Sequence, residues 1–242
     1  MEHWEELRPG GYRLVWDDAL FRPGTDSFLL SSLPRLTPGL RVCDLGSGTG
    51  LLGVLLLQLQ RELTVTGIEL DGAAAALARR CAAENGLADR LRTLQGDLRQ
   101  VRSLLSPGSF DLVISNPPYF DPARGRTSRS LPAARSELTC TLEDVAAAGA
   151  YLLRWGGRLC LVYKPERLTD LLTALRAHGV EPKRLRPVVR RAGDAPSLLL
   201  AEGRRGGRPG LSIEAPLILE GADGAPTAEL DAIYFRTQEE LP

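Results

Sequence analysis

A chain of 242 residues, 43% hydrophobic and 25% charged, has the composition of a folded protein and the length to bury one full α/β core. Its 30 basic and 30 acidic residues cancel, which counts mildly against a nucleic-acid binder but leaves local charge open. Cys43, Cys81, Cys140 and Cys160 lack zinc-ligand spacing, and His3 and His178 have no companions, so no metal site is expected.

The N-terminus, Met-Glu-His-Trp-Glu-Glu, has neither the basic start nor the apolar stretch of a signal peptide. The apolar run Leu51–Leu59 is too short to span a bilayer. A cytoplasmic protein with reduced thiols is expected. The segment Gly10–Ser32 precedes any regular alternation, and Thr25 or Asp26 can cap a short helix within it.

From Arg41 onward strand and helix alternate. Strand-like runs fall at Arg41–Leu45, Leu63–Leu70, Leu91–Gln95, Asp111–Ser115 and Gly157–Tyr163. Between and after them lie helix-like stretches at Leu51–Gln60, Ala73–Asn85, Asp97–Leu105, Leu142–Arg154 and Glu166–His178, with Asn85-Gly86 as a stop. This rhythm predicts a parallel sheet with helices on both faces. Beyond Val180, Arg184–Arg190 and Ser197–Glu202 read as a hairpin, hence an antiparallel edge that brings the sheet to seven strands. Leu217–Leu219 reads as a short strand near the tail. The expected organisation is one domain over 1–242: an N-terminal cover (1–40), the core (41–203) and a tail (204–242).

The turn after the first core strand reads Asp44-Leu45-Gly46-Ser47-Gly48-Thr49-Gly50. Glycines there permit positive φ and close backbone approach at the carboxyl edge of the sheet, where α/β folds bind ligands. A dinucleotide fingerprint would need glycine at position 51, which is Leu, and no Gly-Lys-Ser/Thr exists for a nucleoside triphosphate. Acids end the strands: Asp44 can orient the loop and an ammonium, Glu69 can take two ribose hydroxyls, and Asp97 can accept from an adenine amino group. Three carboxylates repel phosphate and suit a sulfonium bearing an ammonium. S-adenosylmethionine is the expected cofactor, with Ser47, Leu70, Leu98 and Asn116 also counted among its contacts.

A strand ending in Asn116-Pro117-Pro118-Tyr119 presents a rigid polar clamp beside an aromatic ring. The Asn116 side-chain carbonyl and the Pro117 backbone carbonyl can accept both hydrogens of a planar amine and stabilise positive charge growing on its nitrogen. Tyr119 can stack on the substrate. The long connection Phe120–Thr141 carries Arg124, Arg126, Arg129 and Arg135, and the hairpin region adds Lys183, Arg184, Arg186, Arg190, Arg191, Arg204, Arg205 and Arg208, with only Asp194 and Glu202 opposing them. These can track phosphates, which makes RNA the expected partner.

These residues resemble the bacterial tRNA1(Val) (adenine-N6)-methyltransferase-like family, Rossmann-like class I methyltransferases of the small-domain type. The resemblance rests on Pro23–Leu30, Asp44–Leu52, Ile114–Tyr119, Ala134–Glu137, Pro216-Leu217 and Tyr234-Phe235, and covers most of the chain. It implies N6-methylation of the adenosine 3′ of a tRNA anticodon, and that Thr25 and Asp26 border the cofactor. The Asn-Pro-Pro-Tyr motif alone also fits guanine-N2 or protein glutamine-N5 methylation. A non-catalytic donor-binding module in an RNA-associated assembly is the alternative of another class. The sequence does not set the oligomeric state.

Overall fold

A computed structural model of the chain describes residues 1–20, 24–117 and 140–236. The chain opens with a hairpin that the sequence did not announce, β1 (Glu2–Glu6) antiparallel to β2 (Arg13–Asp17). Leu14 and Val15 are buried, and Arg13 is pinned by Asn85: its N–H donates to Asn85 Oδ1 (2.7 Å) and its carbonyl accepts from Nδ2 (2.8 Å). The residue that stops a helix thus also docks the N-terminus. α1 (Thr25–Ser31) follows Gly24, which occupies the N-cap with extended backbone and no side-chain cap. Thr25 and Asp26 therefore begin the helix and do not cap it, contrary to expectation.

The core runs β3 (Arg41–Leu45), α2 (Leu51–Leu59), β4 (Thr64–Glu69), α3 (Gly72–Glu84), β5 (Leu91–Gln95), α4 (Val101–Leu104), β6 (Phe110–Ser115), α5 (Leu142–Leu152), β7 (Leu153–Tyr163) and α6 (Leu168–Ala177). It closes with β8 (Val180–Val189), β9 (Leu198–Arg205), β10 (Ser212–Ile213), β11 (Leu217–Ile218) and α7 (Ala228–Ile233). The expected helix over Asp97–Leu105 is instead a 3₁₀ turn, Leu98–Gln100, capped by Asp97, followed by the one-turn α4. The expected helix Leu142–Arg154 yields at Leu153, which already pairs with Phe110. The β6–β7 register then shifts, with Gly156 at φ +79° in the irregular stretch, before Leu112 faces Arg158.

The nine-stranded sheet has the order β10-β8-β9-β7-β6-β3-β4-β5, with β11 also on β8. All pairings are parallel except those of β9. The expected Rossmann-like sheet with an antiparallel hairpin is thus observed, but it has nine strands where seven were expected, because the tail adds β10 and β11 on β8, and the antiparallel strand is not at its edge: β9 lies between β7 and β8. Continuous burial over Leu198–Gly203 is the mark of such an interior strand. Alternate strand residues feed two cores. Val42, Val65, Leu112 and Ile114 pack on one face and Cys43, Ile68, Val113 and Leu159 on the other. Among the described residues no helix is long and apolar enough to cross a membrane, and no acid, Cys and His group could hold a metal ion.

Candidate active site

The glycine turn lies at the carboxyl end of β3. Gly46, Gly48 and Gly50 have φ of +74°, +54° and +85°, which a residue with a Cβ adopts only under strain. The N–H groups of Gly46 and Ser47 both donate to the Ile68 carbonyl (2.9 and 3.1 Å), folding the turn over the end of β4. Ser47 fits there because residue 67 is glycine: a Cβ on Gly67 would lie 2.5 Å from Ser47 Oγ. A Cβ on Gly46 or Gly48 would meet no other group within 4 Å, so the turn's outer side forms a cradle.

Glu69, at the end of β4, accepts from the Gly48 N–H through Oε2 and from the Asp71 N–H through Oε1, both at 2.8 Å. It therefore couples the glycine turn to α3, whose first turn Asp71 caps. Leu70 is an exposed apolar residue beside this carboxylate, and Leu98 is half-buried one strand further on. Asp97 accepts from the Arg99 N–H and pairs with its guanidinium; these bonds hold its carboxyl below the usual range.

Asp44 lies in the sheet between Gly67 and Ile114 and is only 1% exposed. Neither of its oxygens has a partner among the described residues, nor do the buried hydroxyls of Ser47 and Thr93. Burial, reinforced by the charge of Glu69, pushes the Asp44 carboxyl up to about 8. A cation delivered to this point would restore the ionised form. A phosphate would find acceptors where it needs donors. An orphaned carboxyl beneath a glycine cradle, with Glu69 alongside, fits a ligand carrying an ammonium and a sulfonium.

β6 brings Asn116 and Pro117 beside this cradle. Ser115, 1% exposed, donates from Oγ to the Leu45 carbonyl (2.7 Å), so the ends of β6 and β3 are joined directly. Asn116 is half-buried and donates from Nδ2 to Ser27 Oγ (3.1 Å), while Pro117 is buried. Ser27 belongs to α1, which is anchored by the fully buried Leu29 and Leu30 and by Phe28 stacked on Tyr234 at 4.4 Å. Thr25 and Asp26 lie at the same end of that helix. Ser27, Ser115 and Gly67 are thus site residues that sequence reasoning missed. Ser27 stood in the Pro23–Leu30 segment, but nothing in the chain order shows that it meets Asn116. Pro118, Tyr119, Arg124, Arg126, Arg129 and Arg135 lie outside the described residues.

The expected phosphate-tracking set of the hairpin needs correction for its members on and just after β8, among them Arg186, which pairs with Glu229 (2.7 Å). Arg184 bonds Glu214 (2.7 Å) and Glu202 (3.2 Å), and Arg190 and Arg191 share Glu220 (2.8 and 3.0 Å). Lys183 donates to the Arg208 carbonyl (3.1 Å). The tail folds back along β8 and supplies acids that lie far from these arginines in the sequence, so the set is not unopposed.

The model of the methyltransferase small domain matches residues 20–174, which include the glycine turn and Asn116-Pro117. The chain belongs to the methyltransferase small-domain family. Members similar to it include the tRNA1(Val) (adenine(37)-N6)-methyltransferase of Porphyromonas gingivalis, 34% identical over 76% of this chain and 74% of the relative. The Tolumonas auensis enzyme of the same name is 31% identical over 93% and 94%. Among solved structures, one described as a predicted O-methyltransferase from Agrobacterium tumefaciens superposes with a TM-score of 0.72 at 24% identity, covering 87% of this chain and 96% of its own. At that identity it supports the small-domain fold alone.

Proposed function

We propose that the chain is an S-adenosylmethionine-dependent N-methyltransferase acting on N6 of an adenosine in tRNA, position 37 of tRNA1(Val) by its relatives' names. The observation that carries this reading is the Ser115–Leu45 hydrogen bond, which fixes the strand ending in Asn116-Pro117 to the strand ending in the glycine cradle. Asp44 meets the cofactor's ammonium, Glu69 its ribose hydroxyls, and Asp97 its adenine edge. Thr25, Asp26, Gly46, Ser47, Gly48 and Gly50 line the methionine portion, and Leu70 and Leu98 flank the base. The cofactor supplies an electrophilic methyl carbon.

Asn116 Oδ1 and the Pro117 carbonyl accept the two hydrogens of the adenine amine, aiming its lone pair towards that carbon. As the nitrogen gains positive charge these fixed dipoles stabilise it, and the proton then leaves to water without a protein base. Pro118 belongs to the same motif, and the role of Tyr119 in this reading is to stack on the flipped base. Arg124, Arg126, Arg129 and Arg135 follow the clamp and meet phosphates. A tRNA substrate and four unbridged cysteines go with a cytoplasmic setting.

The test is to incubate the protein with unmodified tRNA and labelled cofactor, digest to nucleosides and analyse by mass spectrometry. N6-methyladenosine is expected. N2-methylguanosine would redirect the target base, and label in protein glutamine or in no nucleoside would overturn the tRNA reading.

A further inference from the structure

The opposite edge of the sheet, where the parallel strands begin, has no part in the site above. Strand order and register line up Arg205 on β9, Arg154 on β7, Asp111 on β6, Arg41 on β3 and Arg90 just before β5. Five strand spacings separate β9 from β5, about 24 Å. Asp111 is shared: Arg154 Nε donates to Oδ1 (2.5 Å) and the Arg41 N–H to Oδ2 (2.9 Å). Burial pushes its carboxyl up, yet these bonds prevail and hold it below the usual range; the Arg41 guanidinium also lies 3.8 Å from Oδ2, so one acid faces two guanidinium groups. Arg204, Arg205 and Arg208 have no acidic partner among the described residues. The nearby Glu181, facing Arg204 across the strands, is engaged by Arg176 at 3.2 Å.

Trp155, on β7 next to the β9 end of this row, is 76% exposed. Its ring rests on Gly206, where a Cβ would fall inside it, and the Arg204 guanidinium lies over Gly156, 3.4 Å from where a Cβ would sit. One face of the indole is therefore braced by backbone, and cations flank it. Two clefts open on either side of the cluster. One of about 370 Å³ is lined by Trp155, Arg176, Glu181 and Arg205, and one of about 420 Å³ by Arg41, Arg90 and Arg92 with a single acid, Asp89. A braced, exposed aromatic plane among unpaired guanidinium groups matches an unpaired base with its phosphates, since stacking suits any base and arginine suits phosphate.

We infer that the amino edge of the sheet, from Trp155 and the Arg204–Arg208 loop across to Arg41 and Arg90, is a second RNA-binding surface that grips substrate RNA away from the methylated base. This rests on the proposed action on RNA and adds a site to it.

The test measures binding of fluorescein-labelled bulk tRNA by anisotropy, against salt, for the wild type, Trp155→Ala, Trp155→Phe and the double variant Arg204→Glu/Arg205→Glu. Circular dichroism and S-adenosylhomocysteine calorimetry check that each variant is folded. Trp155→Ala should weaken tRNA binding about tenfold, with Trp155→Phe restoring most of it. The double variant should lower the slope of log affinity against log salt by about 2. Unchanged affinity and slope in folded variants would overturn the inference. So would tighter binding of polyglutamate than of tRNA, which would make an acidic protein the occupant. Nucleoside analysis of the same samples separates the two readings. Methylated product with unaltered variant affinity removes this surface alone, and lost affinity without product removes the enzymatic reading alone.

Discussion

At the carboxyl edge of the sheet the strands end in Asp44, Glu69 and Asp97 around a glycine turn; at the amino edge they begin among Arg41, Arg90 and Arg154, with Arg204, Arg205 and the exposed Trp155 alongside. The strands between are five or six residues long over β3 to β6, so the edges stand roughly 17–20 Å apart. That exceeds the Debye length of about 8 Å at physiological salt, and each edge presents its own field. A formal charge of zero thus conceals an acidic end suited to a cationic ligand and a basic end suited to a polyanion. The difference teaches that charge balance in this chain reports nothing about partners until the strands are threaded.

If the division is real, substitutions at the two edges should fail in different assays. The largest effect is expected from Asn116→Ala. Losing one of two carbonyl dipoles aimed at the amine should cost about 10²–10³-fold in turnover, by analogy with single oxyanion-hole donors. Affinity for cofactor and for tRNA should stay within a few fold. Labelled methyl transfer and anisotropy check this together, and a loss of tRNA affinity equal to that of Trp155→Ala would erase the distinction between the edges.

Glu69→Ala comes next. It removes the proposed ribose acceptor and strips the N–H groups of Gly48 and Asp71 of their partner. Hydrogen bonds to a charged group are each worth about 1.5–3 kcal/mol, so cofactor affinity should fall roughly 10- to 100-fold with tRNA affinity unaltered. Calorimetry with S-adenosylhomocysteine reads the first and anisotropy the second; equal affinity in the variant would remove Glu69 from the cofactor site.

The fold was largely legible, as were the glycine turn and the strand-end acids that we propose hold the cofactor, because both depend on local order. Apolar runs of strand length, a Gly-x-Gly-x-Gly turn and acids at strand ends are periodic or contiguous features. What stayed hidden depends on register. Ser27 meets Asn116 across 89 positions, and Glu220 reaches Arg190 across 30. No pattern within a segment encodes those meetings. The interior place of β9 was legible in principle, since Leu198–Ala201 is apolar without alternation, as expected of a strand covered on both faces. The N-terminal hairpin was not, because Glu2–Glu6 carries mostly polar residues and pairs only with β2.

Asp44 gives a subtler test of the acidic edge. Its folded pKa of about 8 lies above the ordinary 3.8, so between those values the folded state holds a proton that the unfolded chain has released. Stability of the ligand-free protein should therefore fall as pH rises through that window and level off above it. Asp44→Asn removes the titration and should flatten the profile. Urea unfolding from pH 5 to 9 compares the two, and parallel profiles would mean that Asp44 is ionised in the folded protein.

The smallest effect is expected at Arg190 and Arg191, which lie just beyond the carboxyl end of β8 and are both committed to Glu220. Phosphate would have to displace that carboxylate, whereas Arg204 and Arg205 have no such competitor among the described residues. Arg190→Ala and Arg191→Ala should each leave tRNA affinity within about twofold, as for exposed ion pairs whose removal is seldom measurable. Glu220→Ala sharpens the point. Releasing both guanidinium groups should strengthen tRNA binding if their silence comes from pairing, and should do nothing if RNA never approaches that corner. A tenfold loss on Arg190→Ala would instead extend the RNA contacts of the chemistry's edge to β8, and the hairpin arginines there would not be silenced by Glu220.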